Sequence, residues 1–229
     1  MALQQGEALD EVKDGKVENL RRMEEGQVMT RIEPLPVEEA VAAVPLLQER
    51  LPMLERHYGV VPNNLRTMAR RPQIVAALFA LSDAVMGRSG TVPLGVRQLV
   101  AHIASKTAGS RYCQAHTIYG LSRTDIDQGR LASLWDYGGS SLFSAAEKAA
   151  MDFAVAASSV PNAVTNNVME QLRQHWDDDQ VVEIMGVIAL FGFLNRWNDS
   201  MATPLEDTPA VCANEILGQR GWEIGKHQP

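Results

Sequence analysis

Apolar residues recur every three or four positions along most of the chain from Val37 onward, which places them on one face of an α-helix. Stretches in which Val, Ile and Thr alternate with polar residues, as in half-buried strands, are missing from the sequence. One predicted helix runs from Pro72 through Met86, and its apolar face carries Ile74, Leu78, Leu81 and Val85. We therefore predict an all-α protein.

Two Ser-x-x-acid sequences, beginning at Ser122 and Ser144, have the arrangement of a capping box, in which a hydroxyl and a carboxylate each satisfy an unpaired backbone donor. Each predicts the start of a helix, and the second helix continues through Ala157. The apolar spacing predicts further helices near residues 164–175 and 178–197.

A helix is also predicted to begin at Pro93, because proline suits the first turn, where its missing N–H is harmless. Gln98 and His102 lie one turn apart on this helix and share a side. A break at Gly109 separates it from another helical segment that starts near Ser110.

The composition divides the chain into three parts. Residues 1–28 hold seven acidic side chains, four basic ones and no aromatic one, which predicts a charged extension, with Met29 as an alternative start. Residues 29–206 form the predicted helical domain. Residues 207–229 are a polar tail, and the chain after Pro204 is expected to be loosely ordered.

Length and charge exclude several classes of protein. A chain of 229 residues, 45% hydrophobic, can bury a core without disulfide or metal cross-links. The formal net charge of −7 argues against a nucleic-acid partner, which needs a basic surface. No secretory signal opens the chain, and the most apolar run, 185–194, is too short to span a bilayer. The two cysteines could form at most one disulfide, which fits a reducing compartment. These features predict a cytoplasmic protein without a membrane partner.

The candidate chemistry lies at residues 110–116, SRYCQAH. On a helix, Cys113 and His116 share a face, as do Ser110 and Cys113. An imidazole beside a thiol can hold it as a thiolate, and the first turn of a helix adds a favourable dipole. This pairing suits a nucleophilic or redox-active cysteine, although buried cysteines and histidines also serve purely structural roles.

The segment GSRYCQAHT, residues 109–117, resembles the active-site segment of the carboxymuconolactone decarboxylase superfamily, which includes the AhpD-like alkylhydroperoxidases. Three other segments resemble that family: VPNN at 61–64, residues 92–105, and LNRWND at 194–199. Together they cover roughly residues 30–206. The resemblance implies an AhpD-like helical bundle that assembles into homo-oligomers.

For AhpD-like members the resemblance implies two cysteines: the second attacks the peroxide and the first resolves the sulfenic acid, while a glutamate and a histidine relay protons. Here Cys113 matches the second cysteine, His116 the histidine and Tyr112 the intervening aromatic residue. Ser110 replaces the first cysteine and Gln98 the glutamate. Because a hydroxyl cannot form a disulfide and an amide cannot shuttle protons near neutral pH, the two-cysteine cycle is excluded at this site.

The preferred hypothesis is a peroxidase-like thiol oxidoreductase with one active-site cysteine. A hydroperoxide would oxidise Cys113, and an external thiol or Cys212 would reduce it, while His116 tunes the thiolate and moves protons. The expected pocket and relay residues are Gln98, Ser110, Tyr112 and His102.

Two other functions stay open. In the decarboxylase branch, His116 would be the general acid or base acting on a small organic acid or lactone. Alternatively, the pocket is degenerate and the protein is a binding module. The sequence has no metal-ligand spacing, so we predict no metal site. We also predict a small-molecule substrate and no cofactor.

Overall fold

The structure is a computed structural model that describes residues 30–229. Within this range the chain forms helices and loops and contains no β-strand, which confirms the predicted all-α class. The charged extension at 1–28 and the alternative start at Met29 lie outside the described residues.

Eleven α-helices and three 3₁₀ turns make up the described chain. The α-helices are α1 (Val37–Ala43), α2 (Pro45–Tyr58), α3 (Asn63–Met68), α4 (Pro72–Met86), α5 (Leu94–Thr107), α6 (Arg111–Ser122), α7 (Gln128–Ser133), α8 (Ala145–Ser158), α9 (Asn166–Arg173), α10 (Asp178–Met201) and α11 (Asp207–Leu217). The 3₁₀ turns are Leu134–Asp136, Gly218–Arg220 and Gly225–His227.

Helix α5 is at the centre of the bundle. It packs against α6, α8 and α10, and nine of its 14 residues are buried, so it is enclosed on nearly every side. Its fully buried side chains include Leu99 and Ile103. The segment 109–117 follows this helix directly, so it is attached to the most enclosed part of the core.

Local boundary signals predict some helix ends and not others. Helix α4 has the predicted bounds, and Ser144 opens α8 with a complete capping box to Glu147. The prediction of a helix start at Ser122 is wrong, because Ser122 is the last residue of α6 and its hydroxyl donates to the carbonyl of Tyr119. The next helix begins instead after Asp127, whose carboxylate accepts from the N–H of Gly129.

The prediction of a loosely ordered chain after Pro204 is also wrong. Residues 207–217 form α11, which packs along α6 and buries Ala213 and Leu217. The final residues continue across α6, where Trp222 and His227 are buried. Apolar residues scattered among polar ones therefore bury one side of this segment against the core.

Helix α10 is the one helix of residues 30–229 whose length and composition would suit a bilayer. It packs against α4, α5, α6 and α8. The run at 185–194 is nevertheless not buried on all sides, because Met185 and Phe193 are 39% and 41% exposed.

Candidate functional site

A tight reversal between α5 and α6 positions the candidate cysteine. Gly109 has φ +73°, a left-handed conformation that glycine adopts without strain, and it turns the chain back toward α5. Ser110 then caps α6 with extended backbone, and its N–H donates to the carbonyl of Ser105 at 3.1 Å. The Ser110 hydroxyl makes no capping hydrogen bond, so it remains available to the thiol in the next turn.

Cys113 lies in the first turn of α6, is 3% exposed, and faces a cavity of about 410 Å³. Asn198 Nδ2 donates to its sulfur at 3.4 Å. Burial raises the pKa of the Cys113 thiol to about 12, although the hydrogen bond from Asn198 and the nearby Ser110 hydroxyl act in the opposite direction. Burial thus favours a resting thiol rather than the thiolate expected from the sequence.

The cavity lining is mainly apolar, with a smaller number of polar side chains. Its apolar walls come from α2, α4, α5 and α10 and include Met53, Leu78, Phe79, Met86, Leu94, Phe191 and Leu194. The predicted residues that line it are Gln98, Tyr112, Cys113 and His116. Such a lining suits a small and largely apolar molecule.

His116 is held between two tyrosines. Its ring stacks on Tyr112 with centroids 4.6 Å apart and meets Tyr58 edge-on at 5.2 Å. Burial and the nearby Glu206 carboxylate raise the pKa values of both tyrosines, so both remain phenols. Within the described chain no hydrogen bond joins His116 to the Cys113 thiol, although both face the cavity.

The strongest contact of His116 is with Glu206, a residue that the sequence did not single out. His116 Nε2 lies 2.7 Å from Glu206 Oε2, and the hydroxyl of Tyr112 donates to Oε1 at 2.9 Å. The backbone N–H of Asn63 also donates to Oε1. No motif marked Glu206, since it lies 90 positions after His116 in the segment expected to be loosely ordered.

Glu206 is ionised despite being only 9% exposed. Burial by itself would raise the pKa of its carboxyl group, but the interaction with His116, together with the hydrogen bond from the N–H of Asn63, outweighs burial and lowers the pKa. A carboxylate in this position fixes the orientation of the imidazole, as in other carboxylate–histidine pairs.

The remaining predicted residues lie around this centre. Gln98 lines the cavity, and its buried Oε1 has no hydrogen-bond partner within residues 30–229. His102 does not line the cavity; its Nδ1 lies 2.9 Å from Thr117 Oγ1, which donates to the carbonyl of Cys113. Burial lowers the pKa of His102 to about 3, so this histidine is neutral and unsuited to carrying protons.

Cys212 is at the wrong end of α6 to resolve an oxidised Cys113. Its sulfur lies 3.5 Å from the hydroxyl of Ser122, and both cysteines are free. Ser122 follows Cys113 by nine positions, which corresponds to about 13.5 Å along a helix. A disulfide requires the two Cα atoms to be within about 7 Å, so α11 would have to move before the two sulfurs could join.

No known family model matches the chain. YnjA, an uncharacterised protein of Escherichia coli (strain K12), is 29% identical over 156 residues, which cover 66% of this chain and 83% of YnjA. Among solved structures, the debrominase Bmp8, as a cysteine-to-alanine variant with 2,3,4-tribromopyrrole, is 28% identical, with a TM-score of 0.75 over 83% of this chain and 99% of Bmp8.

A second solved structure, the AhpD core of an uncharacterised peroxidase-related protein from Ralstonia eutropha JMP134, is 24% identical. Its TM-score is 0.67, over 86% of this chain and 98% of that protein. These likenesses confirm the AhpD-like resemblance at the level of the fold.

Proposed function

We propose that this AhpD-like helical protein is a thiol-dependent reductase in which Cys113 accepts an electrophilic atom from a small apolar substrate. The observation that carries this proposal is that a single thiol and His116, which is held by Glu206, face one apolar cavity. The preferred substrate is an organic hydroperoxide, in keeping with the peroxidase-related protein among the structural relatives.

The first step needs a proton acceptor, because burial keeps Cys113 protonated. His116, supported by Glu206, takes the thiol proton as the substrate enters. The thiolate then attacks the terminal oxygen of the hydroperoxide, the O–O bond breaks, and the alkoxide leaves with the proton from His116. The products are an alcohol and the sulfenic acid of Cys113.

Regeneration uses an external thiol, since Ser110 offers no sulfur and Cys212 lies at the far end of α6. One thiol condenses with the sulfenic acid, releasing water and forming a mixed disulfide. A second thiol attacks that disulfide and returns Cys113 to the thiol, while the two reductant sulfurs leave as a disulfide.

Reductive dehalogenation is a second candidate, supported by the apolar cavity and by the likeness to a debrominase crystallised with a bromopyrrole. The thiolate of Cys113 would take bromine from the ring as the ring carbon takes a proton, giving a sulfenyl bromide. One external thiol would displace bromide and a second would release the disulfide, with the same overall use of two thiols.

The decarboxylase alternative has less support. A carboxylate substrate would need a free positive charge to bind it. The cationic side chains that line the described cavity are either paired with a carboxylate or disfavoured in the charged form. Arg50 pairs with Asp83, and His116 with Glu206. Burial and the nearby Arg123 lower the pKa of His57, which disfavours its charged form.

Turnover measured with each substrate and an excess of dithiol tests the proposal. The two assays are consumption of cumene hydroperoxide and release of bromide from 2,3,4-tribromopyrrole. The activity that the wild type shows in either assay is expected to vanish in Cys113→Ser. Cys212→Ser is the matched control and keeps full activity. Equal rates for the wild type and Cys113→Ser with both substrates would refute it.

A further inference from the structure

His227 is fully buried and makes three contacts, one with the last turn of α10 and two with the chain between α10 and Glu206. Its Nδ1 donates to the carbonyl of Thr203 at 2.8 Å, and its Nε2 lies 3.2 Å from Asp199 Oδ1. Its own carbonyl accepts from the N–H of Leu205 at 2.8 Å. Nδ1 faces a carbonyl oxygen, which can only accept, so Nδ1 makes its contact as an N–H donor.

The segment that His227 holds is a sharp turn at the end of α10. Ala202 has φ 47°, in the left-handed region that non-glycine residues rarely adopt, and the N–H of Thr203 donates back to the carbonyl of Asn198. On the opposite side, Asn63 Nδ2 donates to the carbonyl of Pro204 at 3.0 Å. Such a backbone conformation persists only where surrounding contacts hold it.

Glu206 is the residue directly after Leu205, so the last contact of His227 lies one position from the carboxylate that binds His116. The ring of His227 also lies 5.8 Å from the ring of Tyr112, which stacks on His116 and donates to Glu206. Movement of His227 would therefore reach His116 by two routes.

We propose that His227 is a positioning residue, which holds Glu206 and Tyr112 in the places where they orient His116. Its importance for turnover rests on the proposed function, whereas its effect on the His116–Glu206 contact does not. The C-terminal residues are thereby part of the site, although they line no part of the cavity.

The test compares His227→Ala with Gln228→Ala, which changes the exposed neighbour, in the Cys212→Ser background. The first measurement is the proton resonance of the His116 Nε2–H, which is expected far downfield in the wild type because of its hydrogen bond to a carboxylate. It is assigned by its loss in His116→Asn. We expect His227→Ala to shift or abolish this resonance and Gln228→Ala to leave it unchanged.

The second measurement is the steady-state rate with the substrate that the wild type turns over. His227→Ala should lower kcat about tenfold with KM changed less than about twofold, because a misplaced acid–base group slows the chemical step. In the Glu206→Ala background the same substitution should lower kcat by clearly less than tenfold, because the route through Glu206 is already lost and residues acting through one another are not additive.

An unchanged His116 resonance in folded His227→Ala would overturn the proposal. Absence of the His116 resonance from the wild-type spectrum would overturn it as well. Independent, multiplicative effects of the two substitutions on kcat would overturn it as well. If His227→Ala does not fold, His227→Gln, which keeps one donor for the Thr203 carbonyl, is measured in the same way. A wild type without turnover would refute the proposed function, while the resonance would still decide the role of His227.

Discussion

His116 Nε2 and Glu206 Oε2 lie 2.7 Å apart, although 90 positions separate the two residues in sequence. The contact forms because the segment after α10 folds back over α6 and presents a buried carboxylate to the first turns of that helix. The contact places a carboxylate beside His116. The position expected for a glutamate is occupied by Gln98, so the carboxylate comes from a different part of the chain.

Removing the charge of Glu206 should slow turnover. Glu206→Gln is expected to lower kcat by roughly 10²-fold, because the imidazole loses the carboxylate that orients it for proton transfer. The measurement is steady-state kinetics with excess dithiol. Glu215→Gln, which changes an exposed carboxylate of α11, is the control and keeps wild-type kcat. Full activity in Glu206→Gln would contradict the assigned role.

The same carboxylate should make stability depend on acid pH. Because folding lowers the pKa of Glu206, its contribution is fully present above the unfolded value of about 4.5 and is lost as pH falls through the lower folded value. The difference between the urea midpoints of the wild type and Glu206→Gln should therefore shrink from pH 6 to pH 3. A difference that stays constant over this range would argue against an ionised Glu206.

The thiol of Cys113 should resist ionisation in the resting protein. Because burial raises its pKa to about 12, the rate of alkylation by iodoacetamide should keep rising between pH 7 and pH 10, without levelling off near the ordinary thiol value of about 8.5. Mass spectrometry of the Cys212→Ser protein follows Cys113 alone. A plateau between pH 7 and pH 9 would show that the cavity stabilises a thiolate.

Replacing Ser110 should restore a local partner for the oxidised cysteine. In Ser110→Cys the new sulfur lies at the N-cap of α6, three positions before Cys113, and we expect an intramolecular disulfide after treatment with hydroperoxide. Peptide mapping detects the bond, and Ser122→Cys, at the far end of α6, is the control in which no bond to Cys113 forms. Turnover with a dithiol should rise further when Gln98→Glu is added. Absence of a disulfide between positions 110 and 113 in Ser110→Cys would contradict the placement of Ser110 next to Cys113.

The homo-oligomer expected from the resemblance stays a prediction. Helix α10 presents exposed apolar side chains, of which Val182 is 71% exposed, and this face is the natural candidate for contact between copies. Light scattering during size-exclusion chromatography should give a mass above that of one chain, and Val182→Glu should reduce it. Val211→Glu, at an exposed position of α11, is the control, and a monomeric wild type would contradict the prediction.

Much of the fold follows from local patterns. The apolar spacing between Pro72 and Met86 predicts α4 with its observed bounds, and the Ser144 capping box opens α8 as expected. The equivalent pattern at Ser122 failed because its hydroxyl donates to a carbonyl within α6 instead of accepting from a following N–H. A capping sequence indicates which hydrogen bonds a side chain can form, and the conformation of the neighbouring chain decides which of them is made.

By itself, the sequence determined the helical class, the turn at Gly109 that starts α6, and the common face of Cys113 and His116, because helical periodicity and turn conformation act over a few residues. Only the tertiary structure decided that the thiol is buried and protonated, that Glu206 binds His116, and that His227 holds the turn before Glu206. The physical reason is that burial and long-range pairing depend on how distant helices pack, which no spacing within one helix specifies.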